Sequence, residues 1–126
     1  TLVCPKGYEP NRDIVRAAQR DAQGVIEITH DIESGLCDAD AVYTDVWASM
    51  GQEEETAARE VAFAPFQVNA KLMSLAKKDA VFMHCLPAHR GSEVTDEVMD
   101  SPQSIVFDQA ENRLHAQKAV MATLMR

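Results

Sequence analysis

Four reactive side chains fall within the run His84-Cys85-Leu86-Pro87-Ala88-His89-Arg90-Gly91: a thiol, two imidazoles and a guanidinium. They follow directly on the apolar stretch Ala80-Val81-Phe82-Met83, which reads as a buried strand. In an open α/β sheet, ligands bind in the crevice beyond the carboxyl ends of the strands, so Cys85 stands where chemistry is usually done. A cysteine there has three chemical readings. A thiolate favoured by Arg90, His84 or His89 is a nucleophile or a hydrogen-bonding base. A thiol beside two histidines is a candidate zinc ligand. A thiol in apolar surroundings is an inert small hydrophobe. Zinc is disfavoured, because Pro87 interrupts the spacing and no Cys-x-x-Cys partner occurs.

Two other segments bring polar groups to the ends of apolar runs. Asp45-Val46-Trp47-Ala48-Ser49-Met50-Gly51 follows Ala41-Val42-Tyr43-Thr44, and Asp108-Gln109-Ala110-Glu111-Asn112-Arg113 follows Ile105-Val106-Phe107. Asp45 offers a carboxylate to an ammonium, Ser49 a hydroxyl and Met50 its backbone groups, while Gly51 makes a loop bend inexpensive. Arg113 offers a fixed cation of the kind that stabilises a developing oxyanion. Taken singly, these residues are equally a turn aspartate, an ordinary turn and a surface arginine. Their placement argues for more: Asp45, Cys85 and Asp108 each follow a predicted strand, so a parallel sheet would gather them at one edge.

The elements that must do this gathering alternate along the chain. Leu2 to Cys4 reads as a strand, and Asn11 as the cap of a helix carrying Ile14, Val15, Ala18 and Ala22. Val25 to Ile28 reads as a second strand, Asp31 to Leu36 as a short helix and Ala41 to Thr44 as a third strand. The charged stretch from Gln52 to Glu60 suits a solvated loop or weak helix, ended by Pro65. Val68 and Met73 bracket Asn69 as a hydrophobic staple does, with Val68, Leu72, Leu75 and Ala76 on one helical face. The Ala80 strand follows. Thr95, Asp96 and Glu97 suit a helix start, Ile105 to Phe107 a last strand, and Asn112 to Met125 a terminal helix. Five short strands separated by helices predict an α/β fold: one domain with a doubly wound, mostly parallel, Rossmann-like sheet covered by helices on both faces.

The three segments, in this order and spacing, resemble the signatures of the ornithine carbamoyltransferases, and the match runs over most of the chain from Thr1 to Arg126. The resemblance implies transfer of the carbamoyl group of carbamoyl phosphate to the side-chain amine of L-ornithine, giving citrulline and phosphate. It assigns Cys85 as the catalytic residue that interacts with the amine without being acylated. It assigns Asp45, Ser49 and Met50 to ornithine, and Cys85, Leu86 and Arg113 to carbamoyl phosphate. At Cys85 and Leu86 the contacts expected are backbone ones, with Pro87 holding the chain extended at Leu86. No metal and no cofactor is implied.

The resembled enzymes have two domains, and residues 1–126 correspond to the ornithine-binding one, incomplete at its start. No Ser-Thr-Arg-Thr-Arg-like phosphate-binding segment occurs in these residues, so the carbamoyl phosphate domain is expected to lie elsewhere. The full-length protein is expected to be a homotrimer or a multiple of trimers. Other acceptors, putrescine or a modified ornithine, and a non-catalytic amino-acid-binding domain remain the alternatives. An aspartate acceptor is disfavoured by Cys85, where the aspartate enzymes usually carry proline.

Composition is compatible with this. Of 126 residues, 46% are hydrophobic and 25% charged, and the net charge of -8 is the wrong sign for general nucleic-acid binding. No apolar stretch approaches the ~18 residues needed to span a bilayer. Cys4, Cys37 and Cys85 form an odd set without disulfide or metal spacing, as in a reducing cytoplasm. Cys4 and Cys37 read as small buried hydrophobes, and His30 and His115 as surface or structural histidines. Because half of the phosphate site is expected elsewhere, the 126 residues should fold alone yet form neither citrulline nor a trimer. A citrulline assay and sedimentation of the purified chain test this, and turnover or a stable trimer would contradict it.

Overall fold

The computed structural model describes residues 1–48 and 53–125, without the side chains of 53–55. Strand β1 (Leu2–Val3) leads through a loop to helix α1 (Arg12–Asp21), where the Asn11 side chain accepts from the amides of Asp13 and Ile14 at 2.9 and 3.3 Å. Strand β2 (Ile28–Thr29) pairs in parallel with β1. Helix α2 (Ile32–Leu36), capped by Asp31, lies against both strands. That approach needs a glycine: a Cβ on Gly35 would come to 2.4 Å from Cγ2 of Val3.

Strand β3 (Ala41–Thr44) and strand β4 (Val81–His84) form a second parallel pair, with Ala41 opposite Val81 and Thr44 opposite His84. Between them run helix α3 (Glu53–Phe63), a 3-10 turn at Ala64–Phe66 that contains Pro65, and helix α4 (Ala70–Met73). The Asn69 side chain caps α4 by accepting from the Leu72 amide at 3.0 Å, and its flanking residues Val68 and Met73 are both buried. Helix α5 (Asp96–Met99) and helix α6 (Val106–Leu124) complete the chain.

The core gathers on one face of the β3–β4 pair. Val42 and Phe82 meet Met73 of α4, Val98 and Met99 of α5, and Val106 of α6. Burial alternates along both strands: Val42, Phe82 and His84 are buried while Tyr43, Asp45 and Cys85 face outward. A period of two is the signature of a strand with one face on the core. It assigns Tyr43, Asp45, Met83 and Cys85 to the opposite face together.

Four sequence expectations need correction. Cys37, read as a buried hydrophobe, is exposed just beyond α2. The run Ile105 to Phe107 is not a strand: only Ser104 bridges to Phe82, and the chain is already helical at Val106. Val106 is buried as the first residue of α6, and Phe107, one residue into the helix, is left 72% exposed. Of Val25 to Ile28 only Ile28 is extended into β2, and Val25 is 90% exposed, since the two-residue β1 offers it no partner. The five-stranded sheet is accordingly reduced, among the described residues, to two parallel pairs and three isolated bridges, one of which joins Ser104 to Phe82 of β4. All of these pairings are parallel, as an α/β architecture requires. No described helix is long and apolar enough to cross a membrane.

Phe82 is fully buried at the centre of this packing. Phe82→Ala should cost about 3–5 kcal/mol of stability, read from chemical denaturation, whereas Ile14→Ala, at a 69% exposed position of α1, should stay within about 0.5 kcal/mol. Equal effects would mean that the core lies elsewhere.

Candidate functional site

The site grows from the last residues of β3 and β4. His84 ends β4 on the core face, fully buried. Its Nδ1 accepts from the Leu86 amide at 2.9 Å, which leaves the Nε2 proton facing Oε1 of Glu93 at 3.3 Å. Glu93 is also buried, and its Oε1 accepts from the His89 amide at 2.5 Å. One imidazole and one carboxylate thus tie down both ends of the turn that follows Cys85. Within it Leu86 has φ of +56° and the Leu86-Pro87 peptide is cis, so the chain is folded back at Leu86 and not extended as expected. The bond from the Leu86 amide to His84 lies within that bend.

Cys85 lies on the other face, next to Asp45. Its Sγ donates to Oδ1 of Asp45 at 3.0 Å, and the same oxygen accepts from the Val46 amide at 2.7 Å. Burial, then this carboxylate, pushes the Cys85 thiol up from its ordinary pKa. The expectation that Arg90, His84 or His89 would lower it is therefore overturned. Arg90 is clamped onto Asp100 at 2.6 and 2.8 Å and onto Asp96 at 2.9 Å, which holds the Asp100 carboxyl below the usual range. His84 faces the core, and His89 is 3.9 Å from Glu93. His84 and Cys85 stand on opposite faces of β4, an arrangement unlike a shared metal site.

Helix α6 supplies the third side. Nη1 of Arg113 donates to the Cys85 carbonyl at 3.2 Å, and Oε1 of Gln109 accepts from the His84 amide at 3.1 Å. Asp108 sits in the first turn of the helix and not directly after a strand. Ser49, Met50 and Gly51 lie outside the described residues. The structure thus brings together Asp45, Cys85, Leu86 and Arg113 of the sequence-predicted residues. Sequence reasoning missed three others: Glu93, which holds the turn; Gln109, which holds the end of β4; and Tyr43. Strand alternation was the available signal for Tyr43, since it shares a face with Asp45 two residues on.

Next to Asp45 opens a cleft of about 870 Å³, lined among others by Tyr43, Asp45, Trp47, Tyr8, Arg59 and Phe63. The Phe63 ring packs on Tyr8 at 4.9 Å and on Trp47 at 6.1 Å between centroids. Arg59 donates to the Trp47 carbonyl at 3.3 Å and lies 5.4 Å from the Tyr8 ring centre. An aromatic wall facing the Asp45 carboxylate is suited to a small molecule with an aliphatic stem and a cationic end.

The thiol geometry has a pH consequence. Its folded pKa lies above the unfolded one, so any stability from the contact is present below the unfolded value and lost as pH rises through the folded one. Alkylation of Cys85, followed against pH by peptide mapping, should have its midpoint above the ~8.5 of a free cysteine. Asp45→Asn should lower that midpoint. A wild-type midpoint at or below the free value would contradict a neutral thiol at this site.

Residues 1–124 match the family described as aspartate/ornithine carbamoyltransferase, Asp/Orn binding domain. An ornithine carbamoyltransferase of Chlorobaculum tepidum is 59% identical over 124 residues, which are 98% of this chain and 37% of that protein. The solved ornithine carbamoyltransferase of Pyrococcus furiosus superposes with a TM-score of 0.88 at 58% identity, over 95% of this chain and 39% of that one. The anabolic ornithine carbamoyltransferase of Campylobacter jejuni gives 0.89 at 36% identity, over 97% and 41%. The chain thus spans about two fifths of the length of these relatives. Cys85, Asp45 and Arg113 meet within a domain that matches from its first residue to its 124th, and the chain belongs to the aspartate/ornithine carbamoyltransferase family as its Asp/Orn-binding domain.

Proposed function

We propose that this chain is the ornithine-binding domain of an ornithine carbamoyltransferase, residues 1–126 forming one side of an active site whose phosphate-binding side belongs to a further domain. The observation that carries this reading is the 3.0 Å contact between Cys85 and Asp45 at the ends of adjacent parallel strands. Asp45 receives the α-ammonium of ornithine, because a carboxylate beside an open cleft forms a charge-assisted bond to it. Ser49 and Met50 are assigned to the same amino acid by the resemblance. Cys85 meets the side-chain amine at the other end of the substrate.

The reaction sets what these groups must do. The amine nitrogen attacks the carbonyl carbon of carbamoyl phosphate, a tetrahedral intermediate forms, and the C–O bond to phosphate breaks, giving citrulline, phosphate and a proton. Only the neutral amine has the lone pair for this, and its ordinary pKa is about 10.4. A neutral thiol serves better here than a thiolate: it accepts a hydrogen bond from the amine and orients its lone pair, yet is too weak a nucleophile to be carbamoylated itself. Arg113, which bonds the Cys85 carbonyl, faces the carbamoyl oxygen in this reading as negative charge develops on it. The Leu86 amide is already committed to His84 and the Cys85 carbonyl accepts from Arg113, so the Leu86 carbonyl and the second lone pair of the Cys85 carbonyl accept from the carbamoyl NH₂. The chemistry calls for neither metal nor cofactor. A cytoplasmic homotrimer, or a multiple of trimers, is the working form.

In the protein carrying both domains, Asp45→Asn should weaken ornithine binding by about tenfold or more while leaving carbamoyl phosphate binding within about twofold. Cys85→Ala should lower kcat by on the order of 100-fold with an unchanged melting temperature. Citrulline formation and separate titrations of the two substrates measure these. Near-normal turnover of Cys85→Ala would remove its role, and a preference for putrescine or N-acetylornithine over ornithine would replace the acceptor.

A further inference from the structure

The peptide unit that joins Cys85 to Leu86 is held at both of its ends. Its N–H, on Leu86, donates to Nδ1 of His84 at 2.9 Å, and its C=O, on Cys85, accepts from Nη1 of Arg113 at 3.2 Å. The two partners stand on different elements, His84 at the end of β4 and Arg113 on α6. His84 is itself fixed: its ring is fully buried, and its backbone amide donates to Oε1 of Gln109 at 3.1 Å. A neutral imidazole whose Nδ1 accepts carries its proton on Nε2. That nitrogen faces Oε1 of the buried Glu93 at 3.3 Å without an aligned hydrogen bond, so the bond at Nδ1 is the one the ring makes among the described residues.

We propose that His84 is a positioning residue: through Nδ1 it fixes the plane of the Cys85–Leu86 peptide, so that the Cys85 carbonyl is aimed both at Arg113 and at the carbamoyl group. A peptide plane turns about ψ of the residue before it and φ of the residue after it. Leu86 sits at φ of +56°, where a residue with a Cβ is strained. Turning the plane over would release that strain, carry the carbonyl away from Arg113 and leave the N–H without its partner. The bond to His84 opposes this. It also polarises the unit, because an N–H that donates makes its own C=O a stronger acceptor. That oxygen has two donors to serve, Arg113 and the carbamoyl NH₂. The neighbouring polar side chains are engaged elsewhere: Gln109 with the His84 amide, Glu93 with the His89 amide, and Arg90 with Asp96 and Asp100.

The effect on turnover rests on the proposed carbamoyltransferase reading, whereas the held peptide does not. Asn and Leu have the same branched shape, but at position 84 only Asn puts an acceptor where Nδ1 stands. In the protein carrying both domains, His84→Leu should lower kcat/KM for carbamoyl phosphate about tenfold with KM for ornithine within about twofold, and His84→Asn should restore it to within about threefold of wild type. A histidine that only fills space would give two variants alike in rate, since both leave the same void. Hydrogen exchange without substrate, followed by mass spectrometry over the segment from Cys85 to His89, should show an additional fast-exchanging amide in His84→Leu and not in His84→Asn. Nitrogen NMR of the wild-type protein should find the His84 proton on Nε2 and none on Nδ1, a measurement that does not depend on either variant folding. Equal rates in the two variants, or a proton on Nδ1, overturn the proposal. Wild-type protein that forms no citrulline while keeping the protected amide would overturn the proposed function and, with it, the role of His84 in turnover.

Discussion

The parallel pairing of β3 with β4, with Thr44 opposite His84, is the constraint on which the rest of the structure depends. A shift by one residue would turn every side chain of one strand to the other face. Val42 or Phe82, whichever strand shifted, would leave the core, and Cys85 would no longer face Asp45. Stability and chemistry therefore rest on the same register. The buried face selects it, because fully exposing an aromatic side chain such as Phe82 forfeits roughly 1.5–3 kcal/mol of burial free energy. The exposed face then inherits a thiol and a carboxylate 3.0 Å apart at no additional cost in backbone order.

Downstream of Cys85 the chain is held by two kinds of polar contact with different worth. Glu93 and His84 are both buried, and removing either would leave polar groups without partners in the interior, a loss of about 1–3 kcal/mol. The bidentate Arg90–Asp100 contact is solvent-exposed, and screening leaves it little worth for stability. The inner pair therefore shapes the turn and the outer clamp only trims it. Neither lies close enough to Cys85 to favour its thiolate. The result is a rigid turn that presents backbone carbonyls at Cys85 and Leu86 beside a thiol kept in its neutral form.

Helix α6 links this turn to the rest of the fold mainly through its first two turns. Val106 is buried, Gln109 binds the end of β4, and Arg113 binds the carbonyl of Cys85. Spacing of three to four residues brings such groups to one helix face. The two polar contacts are side chain to backbone, so they register the helix against the strand end whatever residue occupies position 85.

How much of this could be read from residues alone depends on whether the cause was local. Asn11 and Asn69 were legible as caps because a side-chain oxygen satisfies amides two or three residues away. Ala41 to Thr44 and Ala80 to Met83 were legible as strands, and Asp45 and Cys85 as residues that follow them. The run Ile105 to Phe107 was misread because three apolar residues fit a strand or a helix start equally, and only the burial of Val106 chose between them. The source of the thiol's environment was also misread. Sequence proximity suggested Arg90, His84 and His89, but strand alternation sends His84 to the core, and Arg90 and His89 bond to carboxylates across the turn. By itself the sequence determined the family motifs, the alternation of strands and helices and the identity of the reactive groups, all carried by short-range pattern. Only the tertiary structure decided that the partner of Cys85 is Asp45, forty residues away, because that contact depends on the pairing of two distant strands and on which of their faces the core claims.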